Sequence, residues 1–573
     1  MNNAVKIWGL MEKEDKKKSL TLFGITLLAS IAEVVNISLI IPFVTILSSG
    51  IEESRWVKFI NSIFQFDTNN KLINLITALM ISLIVLSASI RYIQMKMQVK
   101  MSTEIAAKLS NKLFNKILKK ELNWHNSRSS SQHLAGAEKA RMLVSYVLYP
   151  TFFIITNSIL GASIILAMLS NGRYFIFIPI LFIGIIYIWI SAKLKTDARI
   201  ESKIFADSQA NLTECMQEAL GSIRDLKIYN LEEFYSGKHQ QIITKMQKSL
   251  SKILQFAAGP RFLIEAIGAV TLLLIVVVIN NLIENRQVTI SKEELYGVIL
   301  VIAFGFQRLL PILQGIYSSY TNIQGSRQSV NDVIEILQDK NDGKKDHLSE
   351  KIRGDITLIN VSFGYDSHQI LKNVNVTIPR GSIVGIIGTS GSGKTTFADI
   401  LMGLLRPNDG AVKVGSILLR DDNVTSWVKN VSILSQQVFV VDGTVEDNIA
   451  LGDKDKFDGA AYRNSLKRAD LTMFETERGK MTIGERGSRI SGGQKQRIGM
   501  ARAYYKGAEY IFFDEPTSAL DNNSEQIILD LLSHKNTNET IIIITHSKIV
   551  LNHVNLILEV RDGGVYEIKK GNI

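Results

Sequence analysis

Residues Gly388-Thr389-Ser390-Gly391-Ser392-Gly393-Lys394-Thr395-Thr396 have the types and spacing that hold a nucleoside triphosphate. Glycines let backbone N–H groups wrap phosphate oxygens, and a helix that follows presents its positive end to them. Lys394 is placed to reach the β- and γ-phosphates, and the Thr395 hydroxyl to help hold Mg²⁺. The apolar run Ile383–Ile387 predicts the strand that a P-loop needs before it, with a helix after it. A second element, Tyr510-Ile-Phe-Phe-Asp514-Glu515, ends an apolar strand in two carboxylates. Asp514 can orient Mg²⁺, while Glu515 can polarise an attacking water as general base. An apolar run before Asp-Glu is weak evidence by itself; with a P-loop upstream it becomes strong. ATP and Mg²⁺ are therefore the expected cofactors.

Between these two elements stands Ile490-Ser491-Gly492-Gly493-Gln494-Lys-Gln-Arg497. It resembles the LSGGQ signature of ABC ATPases, with Ile for Leu at the first position. The resemblance implies that Ser491, Gly492, Gly493 and Gln494 contact ATP held by an opposite subunit. Smaller family motifs fall in order around it. Tyr365 matches the aromatic that stacks on adenine. Gln436 matches the Q-loop glutamine that contacts Mg²⁺ and water, and Gly484-Glu485-Arg486-Gly487 the X-loop of exporters. Ser518-Ala519-Leu520-Asp521 matches the D-loop, and His546, after the strand Ile541–Thr545, the switch histidine that holds the γ-phosphate and steadies Glu515. Ser547 stands where many exporters have Arg. One nucleotide domain supplies only half of each composite site, so a second copy of the chain is the simplest partner.

The elements that must carry these residues follow from the rest of the chain. At 573 residues it is too long for one ordinary core. Apolar blocks fill residues 20 to 320, and a Gly-punctuated alternation of short β-rich runs and helical stretches follows, as in a parallel α/β domain. A membrane span needs on the order of 20 mostly apolar residues. Six stretches qualify: 20–48, 72–93, 143–169, 174–192, 260–283 and 295–318. Lys16, Lys17 and Lys18 precede the first, and residues 94–142 and 193–252 are rich in Lys and Arg. The positive-inside rule then places both termini in the cytoplasm. The same rule accounts for the net charge of +11 without nucleic acid. The single cysteine, Cys215, excludes an intrachain disulfide, and the pattern of the first residues leads us to expect no removable signal peptide. Polar breaks at Asn123–Ser131 and around Leu220–Ile223 are expected to form short transverse helices that touch another domain. The Trp56–Phe64 stretch reads as an amphipathic helix, either on the outer membrane surface or packed on its own domain.

Ionisable residues inside spans are costly. Glu33 lies mid-span in the first, Arg91 ends the second, Arg261 and Glu265 lie in the fifth, and Arg308 in the sixth. Snorkelling or interhelical ion pairs would explain them. Alternatively, Arg91, Arg261 and Arg308 face one cavity, where guanidinium forks suit a phosphate. Six spans before a nucleotide domain resemble the exporter-type ABC half-transporters: a helical membrane domain over 1–338, a linker over 339–353 and an ABC nucleotide-binding domain over 354–573. Glu12–Asp15, Ala32-Glu33, Leu39–Phe43, Pro260-Arg261…Gly268 and Arg308-Leu-Leu-Pro311 resemble bacterial flippases for lipid-linked oligosaccharides. That resemblance implies an amphipathic lipid substrate at the bacterial inner membrane. An exporter of peptides or drugs, and an ATP-gated channel or membrane-anchored regulator, remain alternatives.

Overall fold

The structure is a computed structural model, and it describes residues 2–40, 43–44, 69–127, 147–171, 177–284, 292–325, 327–338, 352–365, 368–452, 457–479, 481–515 and 538–569. The Trp56–Phe64 stretch, most of the linker and the D-loop residue Asp521 lie outside the described residues. The chain divides into two compact units, Met1–Lys119 with Arg128–Lys340, and Lys120–Ser127 with Asn341–Ile573.

The first unit is helical. Its described elements are α1 (Asn2–Leu10), α2 (Lys13–Ser38), α3 (Asn69–Leu118), α5 (Tyr149–Asn171), α6 (Phe177–Gly221), α7 (Ile223–Ile228), α8 (Glu232–Glu284), α9 (Lys292–Gly325) and α10 (Arg327–Gln338). The α4 label belongs to a short helix, Leu122–Asn126, that groups with the second unit. Among the described residues, α2, α3, α5, α8 and α9 contain windows long and apolar enough to cross a membrane. Of the fourth expected span, 174–192, the described part from Phe177 onward opens α6. Two of these helices run far past a bilayer's thickness: α3 has 50 residues and α8 has 53. At about 1.5 Å per residue each approaches 80 Å, against a hydrocarbon core of about 30 Å. Over residues 94–118 and through most of 193–252 the long basic stretches are thus helical extensions. A buried cluster of Ile37, Ile40, Leu160, Ile164, Met168, Val301, Ile302 and Leu309 ties α2, α5 and α9 together. Glycine makes the α5–α9 approach possible: a Cβ at Gly305 would overlap Met168, and one at Gly315 would overlap the Phe153 ring.

Short helices stand at both expected polar breaks, α4 in the part of the first that is described, to Ser127, and α7 at the second. Leu122 of α4 packs against the hydrophobic core of the second unit. Arg406 reaches Glu121 at 3.6 Å and also pairs with Asp421.

The second unit holds two sheets. One is antiparallel, in the order β2-β1-β4-β5, from β1 (Ile356–Tyr365), β2 (His368–Ile378), β4 (Asp409–Val414) and β5 (Ile417–Leu418). The other runs β10-β9-β3-β8-β7-β6, from β3 (Ile383–Ile387), β6 (Val431–Leu434), β7 (Tyr510–Asp514), β8 (Thr540–Ile544), β9 (Leu556–Arg561) and β10 (Gly564–Ile568). Strands β9, β3, β8, β7 and β6 are mutually parallel. Their near-continuous apolar runs suit this, because a parallel sheet is covered on both faces; β8 is buried along its whole length. Parallel strands put all their C-terminal ends at one edge, where open α/β sheets bind ligands.

Candidate functional site

Four of those C-terminal ends carry the residues singled out in the sequence. The Gly388–Thr396 loop leaves β3, Gln436 follows β6, Asp514 and Glu515 close β7, and His546 follows β8. The loop passes into α11 (Lys394–Leu401), whose N-cap is Gly393 in the left-handed region at φ 101°. A Cβ there would come within 2.6 Å of Ile370, so only glycine fits both the turn and the neighbour. Lys394 is buried, and its Nζ donates to the carbonyls of Gly388 (2.8 Å) and Thr389 (3.0 Å). These bonds hold the ammonium over the loop that would cradle the phosphates. The Ser392 hydroxyl is buried in the same loop without a partner among the described residues.

The carboxylates are organised around β7. Glu515 adopts φ 44°, and its N–H donates to the Ile544 carbonyl at 3.0 Å, which turns its side chain out of the strand. Gln436 Nε2 donates to Glu515 Oε2 at 3.1 Å, and His546 Nε2 lies 3.9 Å from Oε1. So the structure brings together Lys394, Gln436, Asp514, Glu515 and His546. Tyr365 ends β1 and packs edge-on against Phe363, with ring centroids 5.1 Å apart, on the hairpin whose Ile370 abuts the P-loop.

Charge at this site is unbalanced. Burial, then the Glu515 charge, raises the Asp514 carboxyl above its ordinary range, and Lys394 only partly opposes this. Asp399, one turn into α11, is pushed up to about 6 by burial and by Asp514. Asp514 thus has two other carboxylates near it, Glu515 and Asp399, a concentration of negative charge that a cation would offset. Mg²⁺ suits it: the donors at hand are hard oxygens, and Mg²⁺ is held by one or two carboxylates together with substrate phosphates. No cluster of three or more His, Cys, Asp or Glu able to hold a metal occurs among the described residues.

Asp399 carried no motif and escaped the sequence reading. The available signal was its place four residues after Thr395, on the same helical face. Its raised folded-state pKa means that the folded chain binds a proton more tightly than the unfolded one. Its stabilising contribution is complete below about pH 4 and is lost as pH rises through about 6. Asp399→Asn is therefore expected to stabilise the chain by about 1 kcal/mol at neutral pH, a figure discounted for solvent screening, with no gain near pH 4. Thermal unfolding of the detergent-solubilised chain at both pH values, without nucleotide or Mg²⁺, checks this. Arg502 was also missed. It donates to the carbonyls of Asn448 (2.9 Å) and Phe439 (3.0 Å), pinning the loop after Gln436.

The signature opens α12 (Gly492–Tyr505). Ser491 is its N-cap: its hydroxyl accepts from the Gln494 N–H at 3.2 Å, and its own N–H donates to Gln494 Oε1 at 2.9 Å. This capping box leaves the remaining N–H groups of an exposed helix start available to an anion. Gly499 packs α12 closely on Leu434 of β6. Strand β6 lies three strands from β3, roughly 14 Å across the sheet.

In the first unit, Glu33 of α2 accepts through Oε1 from Ser87 Oγ (2.9 Å), Arg91 Nη1 (3.1 Å) and Arg308 Nη1 (3.0 Å). Arg91 and Arg308 are thus brought together. Arg261 Nε donates to Glu265 Oε1 at 2.6 Å, one turn along its own helix.

Two family models cover most of this architecture: an ABC transporter transmembrane region matches residues 22–307 and an ABC transporter model matches residues 371–518. The chain belongs to the ABC transporters, as a helical membrane domain fused to an ATP-hydrolysing domain that drives transport. It is similar to the ATP-dependent lipid A-core flippase of Vibrio parahaemolyticus, at 27% identity over 72% of this chain and 71% of that protein. The flippase of the same name from Vibrio vulnificus is 25% identical over 71% and 70%. A bacterial Atm1-family ABC exporter solved with ATP bound has the same fold, with a TM-score of 0.80 and 19% identity, over 97% of this chain and 96% of that one.

Proposed function

We propose that two copies of this chain form an ATP-driven flippase of the bacterial inner membrane, with both termini cytoplasmic. Its cargo is a polyprenyl-diphosphate-linked oligosaccharide, moved from the inner to the outer leaflet. One observation carries the cargo assignment: two guanidinium groups, from α3 and α9, meet at a single carboxylate within the membrane spans. Two cations and one anion leave a net positive charge in an apolar setting, which suits a phosphate-bearing headgroup.

The engine follows from the nucleotide site. The P-loop backbone and Lys394 hold the β- and γ-phosphates, with Tyr365 against the adenine. Thr395, Gln436 and Asp514 would hold Mg²⁺, which supplies charge neutralisation at the phosphates. Glu515, oriented by Gln436 and His546, accepts a proton from the attacking water. Ser491–Gln494 contact the nucleotide of the other copy, since in their own chain they open a helix on the far side of the sheet. Closure of two nucleotide domains acts on α4, which is seated on the nucleotide unit and sits three residues beyond the end of α3. The D-loop around Asp521 would complete the interface.

The names of the curated relatives favour a second reading, in which lipid A-core is the cargo. ATPase activity in liposomes separates the two. Stimulation by polyprenyl-diphosphate glycan, reduced at least 10-fold in Arg308→Ala, is expected. Stimulation by lipid A-core alone would replace the cargo, and no response to either lipid would overturn the flippase reading. Arg261→Ala tests the third arginine: an equal loss would place it at the headgroup as well.

A further inference from the structure

The Glu33 cluster is built unlike an ion pair whose only task is to hold helices together. All three donors converge on Oε1, while Oε2 is buried with no partner among the described residues. The Glu33 side chain is 1% exposed, yet the arginines that approach it are 37% and 31% exposed. Each guanidinium spends one nitrogen on the carboxylate, end-on, and neither makes the two-pronged contact that gives such pairs their strength. A guanidinium carries five N–H donors in a fixed fork, so most of each fork is left for another anion. Breaking a buried charge pair by removing a partner is costly. For the arginines an incoming phosphate would take the place of Glu33, while the buried carboxylate would lose both cations, a cost that the headgroup must exceed.

We propose that Glu33 is an internal counter-anion that competes with the substrate headgroup for Arg91 and Arg308. This rests on the reading of those arginines as headgroup ligands. While the site holds no substrate, Glu33 neutralises one of the two cations and ties α2 to α3 and α9. A phosphate with more charge and more acceptor oxygens draws both forks away from Oε1, and Glu33 keeps Ser87 alone. Headgroup affinity is then a difference between two anions, which sets a threshold: a headgroup with little anionic charge fails to displace the carboxylate. The same exchange releases the tie between α2 and its two neighbours, so cargo binding alters helix packing.

The test titrates full-length protein in nanodiscs with undecaprenyl diphosphate and reads the concentration that half-maximally stimulates ATP hydrolysis. Glu33→Gln keeps size and one hydrogen-bonding oxygen but removes the competing charge. It is expected to lower that concentration about 10-fold, with the maximal rate changing much less. A purely structural role would instead lower the maximal rate without improving affinity. An unchanged or raised half-maximal concentration in a stably folded Glu33→Gln overturns the proposal. If that variant does not fold, Glu33→Asp keeps the charge but withdraws it by one methylene, and a several-fold gain in affinity is still expected; none overturns the proposal. A wild-type chain insensitive to undecaprenyl diphosphate would overturn the headgroup reading itself, which the Glu33 variants do not decide. A parallel titration with inorganic pyrophosphate distinguishes the sources of the anion: far lower potency supports a lipid headgroup, and equal potency overturns it.

Discussion

Glu515→Gln is expected to lower the turnover of ATP by about 10²- to 10⁴-fold, the usual contribution of a positioned general base, while nucleotide binding persists. The amide cannot accept the proton of the attacking water, but it is close in shape to the carboxylate and retains an oxygen for the Gln436 donor now 3.1 Å away. The strained backbone at φ 44° and its bond to Ile544 are unchanged by the substitution. Phosphate binding rests on Lys394 and the P-loop rather than on Glu515. Removing the Glu515 charge also relieves the repulsion that raises Asp514, so ATP and Mg²⁺ are expected to bind at least as tightly as before. Single-turnover hydrolysis and equilibrium binding of a fluorescent ATP analogue separate the two effects. Turnover within 10-fold of wild type would remove Glu515 from the role of base; loss of binding would instead show that its main work is to shape the site.

How far the sequence foretold this site depends on how local each feature is. The P-loop, β7 and the signature were legible because each is a run of contiguous residues: glycines where the backbone must approach phosphates, an apolar run ending in Asp514-Glu515, and the Ile490–Gln494 stretch that resembles LSGGQ. The turns at Leu122–Asn126 and Ile223–Ile228 were legible as polar breaks in otherwise helical stretches. What was not legible depends on how helices are rotated about their axes. Glu33, Arg91 and Arg308 are each visible as charges in apolar spans, but their meeting at one oxygen needs α2, α3 and α9 to present particular faces. The apolar pattern on a helix that is hydrophobic nearly all round does not fix this. Arg261 pairs with Glu265 one turn away on its own helix, a contact that does not depend on how α8 is rotated. Asp399 escaped for a related reason, since its importance comes from a neighbour in space, Asp514, more than a hundred residues along the chain.

Mixing two inactive variants is expected to restore hydrolysis if the signature serves the partner's nucleotide. Lys394→Ala removes the ammonium held by Gly388 and Thr389 and should abolish phosphate binding at its own P-loop. Gly492→Asp places a carboxylate at the exposed start of α12, where a Cβ meets nothing within 4 Å. A negative charge there favours the helix, so the chain should fold, but it repels a phosphate brought to the same place. Each variant alone is expected to lose at least 100-fold in turnover, comparable to losing a principal electrostatic contact to the transferred group. In a mixed dimer, the Lys394→Ala chain contributes an intact signature and the Gly492→Asp chain an intact P-loop, so one complete site is rebuilt beside one that lacks both parts. Random pairing of equal amounts makes about half of the dimers mixed, so activity should reach up to roughly a quarter of wild type. Were the signature to act within its own chain, neither subunit would contain a complete site and the mixture would stay at the level of its parents. The roughly 14 Å across the sheet from β3 to β6 argues for the first outcome, because α12 packs on β6 and the P-loop leaves β3.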